Sequence, residues 1–180
     1  MSKILISMLS LFALVAVANA TSLEKRLTEK SVVVFGPSYH LQRTNKADMS
    51  YNEVNLGIGL SVNNYKRDNE FYTTYGVAVL NDSYKNPFYF STLGKEYRWS
   101  NGISLGANFL IGAKYKPNFV KHDSTYYTQE GGSYGFIAGL LPEIKWHGKD
   151  YSLNLVFSPE VNAFGIYSPA LLNASFSYKF

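Results

Sequence analysis

The sequence predicts an all-β protein: an eight-stranded antiparallel β-barrel that closes on itself and crosses a membrane. Three observations predict it. A short apolar leader opens the chain. Apolar and polar residues then alternate with period two along several segments, the last ending on the final residue, Phe180. The composition is also unusual: 16% of residues are aromatic, with 15 Tyr and 12 Phe, against only 17% charged. No segment after the leader is long and apolar enough for a transmembrane helix. A chain rich in Tyr, Phe and Gly without spanning helices fits the other membrane architecture, a closed barrel.

The leader comes first. Lys3 gives a positive start, residues 4–17 form a short apolar run, and Ala18-Asn19-Ala20 offers small residues where a signal peptidase reads. The expectation is a signal peptide over 1–20, cleaved after Ala20. A membrane anchor fits less well, because the run is short and small residues follow at once. Residues 21–180 then form one domain. The chain has no Cys, so it has no disulfide, no thiol nucleophile and no lipidated cysteine. The formal charge of +4 falls to +3 once Lys3 leaves with the leader. This mild bias could favour anionic headgroups, but it has no dense basic run of the kind nucleic acid requires. The three His are scattered, which argues against a metal site.

Strands are expected near 31–44, 51–63, 70–80, 87–98, 102–115, 133–146, 150–158 and 169–180. In the second, Val54, Leu56, Ile58, Leu60 and Val62 alternate with Asn55, Gly57, Gly59, Ser61 and Asn63. Ile103 to Ala113 and Tyr151 to Ser158 repeat the theme. In the last, Leu172, Ala174, Phe176, Tyr178 and Phe180 alternate with a mostly polar set. An apolar face suits lipid, and a small polar face suits a narrow lumen. Trp99-Ser100-Asn101-Gly102 and His147-Gly148-Lys149-Asp150 read as tight periplasmic turns, and the polar stretch from Tyr115 to Gly132 reads as an external loop. An even strand count puts both chain ends in the periplasm, so the expected location is the outer membrane of a Gram-negative cell. A single chain closes the barrel, so a monomer is expected. About eight strands leave a lumen filled by side chains rather than a pore.

That topology gathers reactive side chains at the outer rim. His40 falls near the end of the first strand, Asp82 and Ser83 follow the third, and Tyr51, Asn52 and Glu53 open the second. A base, a carboxylate and a hydroxyl at one level are the parts that acyl transfer requires. Each also has a plainer reading. His40 could simply line the lumen, Asn81-Asp82-Ser83 could be an ordinary turn, and Glu53 could be a buried carboxylate paired with Arg43. His122 and His147 read as loop and turn residues.

The ordered set His40-Leu-Gln-Arg43, Tyr51-Asn52-Glu53, Leu56-Gly57-Ile58-Gly59-Leu60-Ser61, Asp82-Ser83-Tyr84, Leu140-Leu141-Pro142 and Ser158-Pro159 resembles the PagP family of lipid A palmitoyltransferases, over about 38–180. The resemblance implies transfer of a palmitoyl-type chain from a membrane phospholipid to lipid A, without a cofactor. It implies catalytic roles for His40, Asp82 and Ser83. It implies that Gly94, twelve residues after Asp82, marks the floor of an acyl pocket and leaves room for a long chain. It implies a lateral gate at Pro142 and Pro159, with Tyr51, Glu53 and Arg43 in support. This sequence departs from the family in its lead-in: residues 21–30 hold two turns of amphipathic helix at most. It also has Asn55 where a proline is expected. The competing readings are a non-catalytic barrel with a structural or surface-binding role and, less well matched, a lipid deacylase.

Overall fold

In the computed structural model, which describes residues 26–41, 51–66, 70–121, 127–163 and 166–180, the alternating segments form one continuous antiparallel ladder. In chain order the strands are β1 (Arg26–His40), β2 (Val54–Lys66), β3 (Phe71–Asn81), β4 (Pro87–Arg98), β5 (Ile103–Lys121), β6 (Tyr127–His147), β7 (Tyr151–Ser158), β8 (Val161–Ala163), β9 (Ile166–Ser168) and β10 (Leu171–Lys179). Eight of them close a barrel in the order β1-β10-β7-β6-β5-β4-β3-β2, and β8 and β9 form a small hairpin of their own. The closing seam is β1 against β10, running from Ser31↔Lys179 to His40↔Leu171. The Phe180 amide adds one more bond, to the Lys30 carbonyl. The expected eight-stranded all-β barrel is therefore present, and each of its strands pairs with two neighbours.

Burial is inverted relative to a water-soluble protein. Among the described residues Tyr51, Leu110, Ala113, Ile137 and Pro169 are the buried apolar side chains, whereas nineteen polar or charged ones are buried. Leu56, Ile58, Leu60, Leu93, Leu105, Phe109, Leu140 and Leu153 each expose about half their surface on the outside. An apolar exterior around a polar interior is stable only against lipid. Aromatic side chains gather at both ends of the apolar band. Phe71, Tyr97 and Trp99 stack edge to face at the lower end, and Tyr89, Tyr115 and Tyr134 cluster at the upper end. "Lower" here denotes the end bearing the Trp99–Gly102 turn, and "upper" the end at which β1 finishes in His40. Gly102 adopts a φ of 80° in that turn, a conformation that a side chain would resist.

Three sequence expectations change. Residues 26–30 are strand rather than helix, because each pairs with β2, from Arg26↔Lys66 to Lys30↔Val62. A two-turn helix is marginal in water, and a ladder partner outweighs it. The stretch expected as a loop from Tyr115 to Gly132 is mostly a paired hairpin of β5 and β6, reaching Lys121↔Tyr127. That extension runs past Lys114, the last β5 residue paired with β4, so its sequence need not follow the alternation of the barrel wall. Third, β1 changes phase. Ser31, Val33 and Phe35 face the lumen, yet Ser38 and His40 are also buried while Tyr39 is exposed. An extra residue at Gly36–Pro37 breaks the register with both neighbours, between Phe35 and Ser38 on one side and between Phe35 and Pro37 on the other. Such a bulge re-aims the side chains that follow it. Without it His40 would point at lipid.

Candidate functional site

The bulge delivers His40 to the upper lumen, where it is fully buried. Its Nε2 lies 2.7 Å from the Ser83 Oγ. Its Nδ1 lies 3.2 Å from the Glu53 Oε1, and that carboxylate is nearly half exposed at the rim. The Tyr51 ring stacks on the imidazole at 4.5 Å and 19°, fixing its plane. Three segments distant in sequence thus meet at one point: the end of β1, the approach to β2 and the β3–β4 turn.

The turn is built by Asp82. Its Oδ1 accepts the backbone N–H groups of Tyr84 and Asn86, and its carbonyl accepts that of Lys85, which adopts a φ of 62°. A non-glycine residue in that region is strained, and the Asp82 bonds hold it there. The Asn52 amide closes the join by donating to the Val54 and Asp82 carbonyls, while the Asn52 backbone N–H donates to the Ser83 carbonyl. The second oxygen of Asp82 lies 3.5 Å from the Lys114 ammonium, a buried cation on β5. Asp82, given a catalytic role by the resemblance, thus shapes the turn and anchors Lys114 and makes no contact with the imidazole among those described. Sequence analysis missed Lys114. Its signal was available, because Lys114 is the one charge on the inward face of β5 after Ser104, Gly106, Asn108, Leu110 and Gly112.

Below Ser83 a cavity of about 180 Å³ runs down the barrel axis. Phe35, Leu80, Phe88, Phe90, Leu110 and Leu141 line its upper half, beneath a polar rim that includes Asn55, Lys114, Ser158 and Asn173. A polar layer follows, where the Thr74 hydroxyl donates to the Asn108 Oδ1 at 2.6 Å. Gly94 sits in this layer, paired with both residues. The expected spare room beside it is not there. A Cβ on Gly94 would stand 2.2 Å from the Asn108 Oδ1, so the glycine makes space for that amide and not for a chain. Pro142 faces outward, paired to Ala107. The β6–β7 ladder stops one residue short of it, at Glu143↔Val156, and Pro159 directly follows β7. The upper β6–β7 seam is therefore unpaired where the two prolines stand. Glu53 is not the buried partner of a cation, since its described neighbour is His40 and its side chain is half in solvent. Arg43, His122 and the 1–20 leader lie outside the described residues.

The lower lumen holds a second charged group. Glu96 is fully buried and bonds to Arg98, Lys145 and His147. Arg98 also forks onto Glu29 through both terminal nitrogens at 3.1 Å. Lys145 reaches Glu143 at 2.8 Å, and Lys179 lies 3.7 Å from Glu29. His147, expected to be a plain turn residue, ends β6 inside this group, between the Ser104 and Ser152 hydroxyls. Burial of charge at this density requires such pairing. Among the described residues no cluster of metal-ligating side chains occurs.

A closed eight-stranded barrel with an apolar exterior and a polar, plugged lumen defines the class: this is a small outer-membrane β-barrel protein. No known family model matches the chain, and no curated protein does. Among solved structures the chain is similar to Ail, the attachment invasion locus protein of Yersinia pestis, in complex with the heparin analogue sucrose octasulfate. The two share 10% identity over 88% of this chain and all of that one, with a TM-score of 0.50. Ail of Yersinia pestis in a phospholipid bilayer nanodisc matches at 14% identity over 86% of this chain and all of that one, with a TM-score of 0.48. Neisserial surface protein A matches at 11% identity over 87% of this chain and all of that one, with a TM-score of 0.37. At these identities the likeness is one of fold.

Proposed function

We propose that the chain is an outer-membrane acyltransferase that moves a palmitoyl-type chain from a phospholipid to lipid A or a related lipid. The observation that carries this reading is the 2.7 Å contact between the His40 Nε2 and the Ser83 Oγ, set directly above an apolar bore. An imidazole in hydrogen-bond reach of a hydroxyl can take its proton or that of a lipid hydroxyl in its place. The buried Lys114 ammonium, tethered by Asp82, supplies positive charge near the site for a developing oxyanion. The apolar upper lumen suits an acyl chain, and the Thr74–Asn108 layer ends it. The unpaired seam beside Pro142 offers a tail a sideways way in from the bilayer. In this reading the upper end faces the outer leaflet.

A second reading, a non-catalytic surface-binding barrel, draws support from the β5–β6 hairpin. It continues seven residues of β5 past Lys114, the last β5 residue to pair with β4, and so projects roughly 20 Å beyond the wall. The same fold in Ail holds a heparin analogue. One experiment separates the two readings. The wild type and His40→Ala are expressed in a Gram-negative host lacking any such enzyme, and lipid A and phospholipids are weighed by mass spectrometry. A lipid A species heavier by one palmitoyl group, absent in the mutant, is expected. Unchanged lipids with a folded barrel in the membrane would leave the binding reading.

A further inference from the structure

The contacts around His40 carry a mechanism for the site just proposed, and the inference rests on that reading. We infer that Ser83 is the nucleophile of a two-step transfer through an acyl-Ser83 intermediate, with His40 as its base and Glu53, not Asp82, as the carboxylate that positions the imidazole. Three observations point this way. The Ser83 Oγ, rather than a backbone group, sits on the His40 Nε2. The Glu53 carboxylate stands 3.2 Å from the opposite ring nitrogen, and its negative charge there, without a well-aligned hydrogen bond, favours a proton on Nδ1 over one on Nε2. Asp82 is committed elsewhere, to two turn amides and to Lys114. Ser83 is also buried and reaches the cavity wall, where an acyl chain in the bore would present its carbonyl.

The chemistry balances without any further reactant. The Ser83 Oγ attacks the ester carbonyl of the donor phospholipid while its proton passes to the His40 Nε2. The tetrahedral adduct collapses, the bond to the glycerol oxygen breaks, and His40 returns the proton to that oxygen, releasing a lysophospholipid. The acceptor hydroxyl then gives its proton to His40 and attacks the acyl-Ser83 carbonyl. Ser83 departs and recovers the proton. Water in place of the acceptor would release free fatty acid.

An alkyl fluorophosphonate tests this directly, since it forms a stable adduct only with an activated serine. Outer membranes from cells expressing the full chain are treated with the probe. The barrel is then recovered and its modified peptide identified by mass. Folding of every variant is checked by the gel shift that heat-denatured barrels show. We expect one adduct, on Ser83, and none in Ser83→Ala. Labelling should slow on the order of a hundredfold in His40→Ala. It should slow by about tenfold or more in Glu53→Gln and recover to within a few-fold in Glu53→Asp, a rescue that a purely structural role would not produce. Wild-type membranes that transfer acyl chains yet give no Ser83 adduct would overturn the intermediate and leave direct attack by the acceptor. A Glu53→Gln rate equal to wild type would overturn the role of Glu53. Absence of both labelling and acyl transfer would overturn the acyltransferase reading itself, and this inference with it.

Discussion

The two ends of the lumen use the same side-chain types and arrive at opposite results. At the upper end His40 meets one hydroxyl, Ser83, and one carboxylate, Glu53, on different ring nitrogens. At the lower end His147 also meets hydroxyls and a carboxylate, but the Ser104 Oγ and the Glu96 Oε1 both crowd its Nε2 at 2.9 Å while Ser152 takes its Nδ1. The charges differ as well. Below, Glu29, Glu96 and Glu143 face Arg98, Lys145 and Lys179, three against three. Above, among the described residues, Glu53 contacts His40 and Asp82 contacts Lys114. Shared composition therefore does not define a reactive site. What separates the two ends is how the partners are distributed over the two ring nitrogens: one to each at His40, and two on Nε2 at His147.

Four changes would break or sharpen this contrast. The largest effect is expected from Ser83→Ala, which should lower lipid acylation by about a thousandfold or more while the barrel stays folded, as measured by mass spectrometry of extracted lipid. Next is Glu96→Ala, which removes the buried carboxylate shared by Arg98, Lys145 and His147 and leaves the lower lumen with an excess positive charge. It should destabilise the barrel by about 3 kcal/mol, read from urea unfolding in lipid vesicles by tryptophan fluorescence. A loss of acylation without a loss of stability in that variant would contradict the division of labour drawn here. Third, Phe109→Arg sets a charge on the lipid face of β5 and should cost about 2 kcal/mol in the same assay. The smallest is His147→Ala, expected to cost about 1 kcal/mol of stability and to leave acylation within a few-fold of wild type.

Sequence reasoning reached most of the barrel because alternation has a physical cause. A strand with lipid on one side and a filled lumen on the other must alternate, so the lower start of β5, β7 and β10 could be placed within two residues, and β2 within three. It failed where that cause lapses. The β5–β6 extension runs past the last β5 residue paired with β4 and carries no such pattern. Residues 26–30 acquire their strand form only from β2. The site was legible in part. His40 and Ser83, expected at one rim, do meet, but the carboxylate beside the imidazole is Glu53 and not Asp82, because which carboxylate lies nearest depends on loops meeting across the rim. Gly94 was placed at the right level with the wrong consequence, since the amide that fills its space comes from β5, fourteen residues on.

The sequence by itself determined the class of the fold, the number of strands in the barrel, the direction of the last strand and the level at which reactive groups gather. These follow from periodicity and from the need to satisfy every backbone group in lipid. Only the tertiary structure decided which way His40 points, because a one-residue bulge at Gly36–Pro37 reverses the phase of β1 and no period in the sequence marks it. Only closure of the barrel brought Glu53 and Ser83 to opposite sides of that ring, because such a contact depends on register between strands that the sequence specifies one at a time.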